Sequence, residues 1–284
     1  MQEPAAAARA NGFDAVKRLI GSALGLRIIS GAVLAGVALG ATRAGGIVFA
    51  SLVSALSVVL VFEWTRMVEG REFSRSFFAL AISSALAMAF AARGAYEAAF
   101  GAAAAGGLAA LLVGKGGRGA IWAAVGAPYL VGPSIALIWL RAGPNSGEAL
   151  VLFLFLIVWA TDSGAYIAGK SLRGPRFSPE ISPGKTWSGL AGGALAGGAV
   201  AAIAGGAIFN TEAPGFFLLL GVAVALATEL GDMVESAIKR RFGVKDVSGF
   251  IPGHGGALDR LDGMIFATFA MAAVVAAVSY LQGH

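Results

Sequence analysis

Long apolar runs alternate with short polar connections along nearly the whole chain. Punctuated by Gly, Pro and Arg, they fall at residues 28–42, 46–64, 76–92, 97–113, 119–140, 149–168, 188–209, 215–235 and 263–281. A helix that crosses a bilayer needs roughly 20 mostly apolar residues, so the pattern predicts about nine transmembrane helices. The expected fold class is all-α, a polytopic integral membrane helical bundle. No soluble domain, coiled coil or internal repeat interrupts it. Residues 1–26, with Arg9, Asp14, Lys17 and Arg18, read as a cytoplasmic or interfacial lead-in without a cleavage site. Residues 27–150 then form an N-terminal set of spans, and residues 151–284 a region that carries the chemistry.

Composition supports this reading. The chain of 284 residues is 57% hydrophobic and 13% charged, against about 25% charged in an ordinary soluble domain. Its mean hydropathy is +0.79. Glycine occurs 42 times; small residues let membrane helices approach closely where lipid supplies no hydrophobic drive for their association. The absence of cysteine excludes disulfides, thiol catalysis and thiolate metal sites. Two histidines, one of them terminal, argue against a His-rich metal centre. The net charge of +5 fits loops beside anionic lipid better than a nucleic-acid partner.

The cations set the orientation. With the N-terminus inside and nine spans, 18 of the 21 Lys and Arg fall on the inner side. Only Arg43, Arg93 and Arg141 fall outside, which predicts a cytoplasmic N-terminus and an outer C-terminus. Both polar-rich connections, 162–187 and 232–262, then share the cytoplasmic face.

These connections hold the candidate chemistry. In ELGDMVESAIKRR, Asp232 lies three residues before Glu235 and four before Ser236, so all three lie near one helix face. Acids at a span end mark a site or a wet cavity. Snorkelling charge is the bland alternative, weighted equally. Lys239, Arg240, Arg241 and Lys245 suit a polyphosphate or a lipid head group, although a bare cationic cluster is more often a positive-inside stop signal. In PGHGGALDRLDG the glycines permit close approach of backbone to a ligand. Asp259 and Asp262 are three apart where the last helix begins. One such carboxylate could be a simple cap, but Asp232, Asp246, Asp259 and Asp262 lie in one connection. Aspartates with water and phosphate oxygens are a usual magnesium environment. His254 could contact phosphate or orient an aspartate; a structural hydrogen bond is as good a reading. The GKT at 184–186 is not a P-loop, because position 179 is Pro where that motif needs Gly. It reads instead as a surface loop offering Ser182, Lys185 and Thr186 to phosphates, with Trp187 anchored at the interface.

The run SAIKRRFGVKDVSGFIPGHGGALDRLD, Ser236 to Asp262, resembles the signature of the phosphatidate cytidylyltransferases (CDP-diacylglycerol synthases). Ser236, Lys239, Arg240, Lys245, Asp246, Ser248, Ile251, Pro252, His254, Gly255, Gly256, Asp259, Arg260 and Asp262 fall in register, and Ala257 replaces a larger aliphatic residue. DSGAY at 162–166 and SPGKTW at 182–187 also look like this family. The resemblance implies transfer of the cytidylyl group of CTP to phosphatidic acid in phospholipid biosynthesis. It also implies a magnesium ion with a potassium ion beside it, a homodimer, and a bacterial inner membrane with the site facing the cytoplasm. Carried over by position, Asp232, Asp259 and Asp262 are expected at the metal, and with Lys239 they form the expected catalytic set. Lys185, Thr186, Ser236, Arg240, Lys245, Asp246, His254, Gly255, Gly256 and Arg260 are expected to bind the nucleotide. The role of Asp162 stays open. Two competing readings are an ion-coupled transporter, for which Glu229 is the deepest acid, and another CTP- or CDP-dependent membrane phosphotransferase. The acids cluster at cytoplasmic span ends, which disfavours the first. The opening motif of the CDP-alcohol phosphotransferases is absent, which disfavours that form of the second.

Overall fold

The computed structural model describes residues 23–114, 117–143, 146–251 and 255–282. Its helices are α1 (Ala23–Ala44), α2 (Gly46–Glu69), α3 (Arg75–Ala91), α4 (Tyr96–Val113), α5 (Arg118–Gly126), α6 (Gly132–Ala142), α7 (Gly147–Leu172), α8 (Trp187–Phe209), α9 (Pro214–Arg241) and α10 (Leu258–Leu281). A π-helical turn, Ala127–Val131, joins α5 to α6, so Arg118–Ala142 is one span. Pro128 removes a donor from the ladder there, and the wider turn absorbs the break. Among the described residues eight helices are long and apolar enough to cross a membrane, and Arg75–Ala91 is a shorter apolar helix. The nine expected spans therefore all appear as helices, and the protein is an integral membrane protein.

Burial is distributed as lipid requires. Leu112, Ile203 and Leu219 are each more than 70% exposed, while Ser57, Ser84, Thr161 and Thr228 are buried. Each buried hydroxyl is satisfied locally: Ser57 and Ser84 pair at 2.8 Å between α2 and α3, and Thr161 and Thr228 donate to carbonyls one turn back. Trp64, wholly buried, donates its indole N–H to the Trp122 carbonyl at 2.8 Å.

The C-terminal half is built on small residues. α8 packs between α7 and α9. A methyl group added at Gly164 would lie 2.7 Å from the Gly192 carbonyl oxygen, and one at Gly221 would lie 2.6 Å from that of Gly197. The three helices thus meet backbone to backbone, the use of glycine that membrane packing favours.

Contacts at the two ends agree with alternating spans. At one end Arg141 donates to the Thr42 carbonyl at 2.6 Å, tying the α6–α7 connection to the end of α1. At the other, α2, the 173–186 segment, α9 and the start of α10 converge. That segment is an antiparallel hairpin, β1 (Arg176–Ser178) with β2 (Ser182–Thr186), where an irregular loop was expected. Phe177 against Trp187, with ring centroids 4.5 Å apart, holds it over α8. The last helix also starts earlier than its apolar run: residues 259–262 are helical, and the amides of residues 256–258 at its start find side-chain acceptors, as described next.

Candidate active site

Two charged clusters lie along α9, at the hairpin end of the bundle. In the first, the Lys185 ammonium on β2 donates to Glu229 Oε2 at 2.7 Å and to Asp232 Oδ2 at 2.9 Å. Burial pulls the Lys185 pKa down, but Asp232 and then Glu229 outweigh it, so it is raised above the ordinary lysine value. Asp232 faces α10. A methyl group at Gly263 would lie 2.8 Å from Asp232 Oδ1, while the Gly263 N–H donates to Asp262 Oδ1 at 2.9 Å. Two carboxylates from antiparallel helices therefore flank one glycine. Glu229 and Asp232 share Lys185 here, and Asp262 adds a third carboxylate beside Asp232.

In the second cluster Lys239 Nζ lies 2.5 Å from Glu235 Oε2 and 2.7 Å from Asp259 Oδ1. The Glu235 side chain is fully buried and that of Asp259 nearly so. Asp259 Oδ2 also accepts the Gly256 N–H at 2.9 Å and the Val247 N–H at 3.1 Å. Asp259 thus fastens the 242–258 connection to the end of α9.

A third acid completes the support. Glu63, wholly buried on α2, accepts the amides of Ala257 at 3.0 Å and Leu258 at 2.7 Å, and the Ser248 hydroxyl. α10 has no capping side chain from its own N-cap residue; Glu63 supplies the acceptor from another helix, where the helix dipole favours negative charge. The sequence reading missed Glu63. Its signal was present: a lone acid in the apolar run VVLVFEW.

The cytidylyltransferase family profile matches residues 25–278. The chain belongs to the cytidylyltransferase family. It is 37% identical over 271 residues to the phosphatidate cytidylyltransferase of Brucella suis biovar 1 (strain 1330), covering 92% of this chain and 94% of that one. It is 41% identical over 125 residues to the Haemophilus influenzae protein of the same name, 43% of each chain. With that of Staphylococcus epidermidis (strain ATCC 12228 / FDA PCI 1200) it shares 44% identity over 124 residues, 43% of this chain and 47% of that one. The family resemblance read from Ser236 to Asp262 extends over residues 25–278.

The geometry divides the family motif by position. Asp259 and Asp262 both face α9, as their spacing predicts, yet they meet different partners two turns apart. Among the described residues no three His, Asp or Glu side chains converge as a ligand set, so Asp232, Asp259 and Asp262 are not gathered at one point. Asp232 and Asp262 are adjacent. Two carboxylates with water and substrate phosphate are an ordinary magnesium environment, and this pair fits that ion. Thr186 caps α8, accepting the Gly189 N–H at 3.0 Å. Ser236 is half-buried, one turn beyond Asp232. Arg240, Lys245 and Asp246 are exposed, Arg240 reaching the carbonyls of Ile181 and Val244 at 3.4 Å. Gly255 adopts φ +87°, a left-handed conformation that favours glycine. A side chain at buried Gly256 would lie 2.9 Å from Glu63 Oε1. Arg260 and Asp162 are exposed and line a cavity on the other side of α10. His254 lies outside the described residues.

Proposed function

We propose that the protein transfers the cytidylyl group of CTP to phosphatidate, forming CDP-diacylglycerol and pyrophosphate. The observation that carries this reading is the meeting of the family's separate motifs at one end of the bundle: Lys185 of the 182–187 segment lies against Glu229 and Asp232 of α9, and Asp232 against Asp262 of α10.

A phosphatidate phosphate oxygen attacks the α-phosphorus of CTP. A P–O bond forms there as the α–β bridging bond breaks, and its electron pair leaves with pyrophosphate. Phosphatidate is already ionised, so no strong base is needed, and catalysis rests on positioning and charge stabilisation. Lys185 and Lys239 supply buried positive charge for the triphosphate. Asp232 and Asp262 would hold magnesium, which supplies charge neutralisation on the departing pyrophosphate when bound. Glu63 and Asp259 keep the turn of α10 that carries Asp262 in register with α9. The site faces the cytoplasm of a bacterial inner membrane, a reading supported by the 18-to-3 cation bias and by the bacterial relatives. A homodimer and a potassium ion rest on the resemblance alone; light scattering of the purified protein and replacement of potassium by sodium in the assay check them.

The purified protein, given CTP, phosphatidate and magnesium, is expected to yield CDP-diacylglycerol. No product with any of several phosphatidates overturns the assignment.

A further inference from the structure

An apolar cavity of about 320 Å³ runs beside the charged end of the bundle. One wall is α1, which presents Gly31, Leu34, Ala35 and Ala38. These positions follow the i, i+3, i+4, i+7 spacing of a single helix face. Three of the four are small, so α1 leaves a gap between itself and the bundle. The opposite walls come from α2, the Leu130–Leu137 stretch, α7 and α10. Ser134 and Thr268 are the hydroxyls of the lining, and Ser134 is committed to the Leu130 carbonyl at 2.8 Å. Charge enters only at one end, through Asp162 and Arg260.

The dimensions select an occupant. Along α10 the lining runs from Arg260 to Thr268, and along α2 from Leu60 to Phe49; at about 1.5 Å per residue these spans are about 12 and 16 Å. That is close to one leaflet, half of a roughly 30 Å hydrocarbon core. A cavity of about 320 Å³ drawn out over that depth has the elongated proportions of one hydrocarbon chain lying lengthwise. At the mouth, Arg260 lies in the same helical turn as Asp259 and Asp262, and its guanidinium can receive a phosphate bidentately. Asp162 lies within electrostatic reach of Arg260 and of Asp232, so the mouth lies near the carboxylate pair.

We infer that this cavity is a slot for one acyl chain of the lipid substrate, with Arg260 receiving the lipid phosphate rather than the nucleotide. The inference rests on the proposed cytidylyl transfer to phosphatidate and adds how the lipid is measured. One chain is threaded between α1 and the bundle while the other stays in the bilayer. The depth of the slot on the α1 side then sets chain-length preference.

The test is steady-state kinetics of the full-length protein with dioctanoyl and dioleoyl phosphatidate. Ala38 lies toward the deep end. Ala38→Phe is expected to leave dioctanoyl kcat/KM within about twofold and to lower dioleoyl kcat/KM at least about tenfold, the scale of methylene-level discrimination in an apolar pocket. Ala35→Leu, a smaller change, should shift the ratio in the same direction and serves if Ala38→Phe does not fold. An unchanged ratio, or an equal loss for both lipids in a variant that unfolds like wild type, means that only bulk lipid fills the gap and overturns the slot. Arg260→Gln should raise KM for phosphatidate at least about tenfold and leave KM for CTP within about twofold. The reverse pattern places Arg260 on the nucleotide and overturns that half. Wild type that makes no product with either lipid fails the functional reading itself, a different result.

Discussion

At the scale of single residues, the site is a set of carboxylates sharing too few cations. Asp232 and Asp262 abut the same glycine, and Asp232 shares Lys185 with Glu229. Asp232→Asn is therefore expected to lower kcat by about 10²–10³, the usual effect of losing one preorganised charge at a reacting group, with expression and thermal unfolding near wild type. Wild-type turnover would remove Asp232 from the site. Glu63 acts differently: among the described residues it accepts from backbone amides and from the Ser248 hydroxyl. Glu63→Ala orphans two buried amides at roughly 1–3 kcal/mol each, so a clear fall in unfolding temperature should accompany lost activity. Glu63→Gln retains a carbonyl acceptor and should recover part of both. The pH response of Lys185 follows from its raised pKa. Such a group contributes stability fully below its unfolded value of 10.5 and loses it as pH rises through the higher folded value. The stability difference between wild type and Lys185→Met should therefore stay flat through the neutral range and shrink only above 10.5. A difference already falling near neutrality contradicts the double ion pair.

At the scale of elements, the hairpin and α10 hold their places through contacts made far along the chain. β2 is fixed by Lys185 reaching into α9, and α10 begins at Leu258 because Glu63 and Asp259 accept the amides that precede its first turn. The α7–α8–α9 layer depends on absent side chains. Gly192→Val would drive its side chain into α7, where even a bare Cβ meets the Gly164 carbonyl oxygen at 3.0 Å. The expected cost is at least about 1–3 kcal/mol, the scale of overpacking a tight contact. It should appear as a lower unfolding temperature in detergent. An unchanged temperature would mean that α8 can move away from α7.

At the scale of the whole molecule, two ends of opposite character are joined by apolar spans. One end gathers Glu63, Lys185, Asp232, Lys239 and Asp259; the other is closed by Arg141 on the α1 terminus. With no native cysteine to interfere, single cysteines at positions 245 and 284 report the topology. Membrane-impermeant reagents should label 284 from outside and 245 only after the membrane is opened. Both on one side would mean that a span does not cross.

Read alone, the sequence determined that the protein lives in a membrane, where its apolar spans fall and which end is cationic. These follow from local quantities: run length, charge and the cost of placing either in lipid. It also marked Asp232, Lys239, Asp259 and Asp262 as chemically distinct, because charge is scarce in an apolar chain. Tertiary structure decided their partners. Asp259 and Asp262, one turn apart on α10, meet different turns of α9, so one fastens a connection and the other meets Asp232. Thr186, expected at the phosphates, is also a helix cap, since a helix begins at Trp187. The partners of Glu63 and the cavity behind α1 were visible only in three dimensions. Each is made by residues about two hundred positions apart, and no local pattern records which distant backbone amide a buried carboxylate will find.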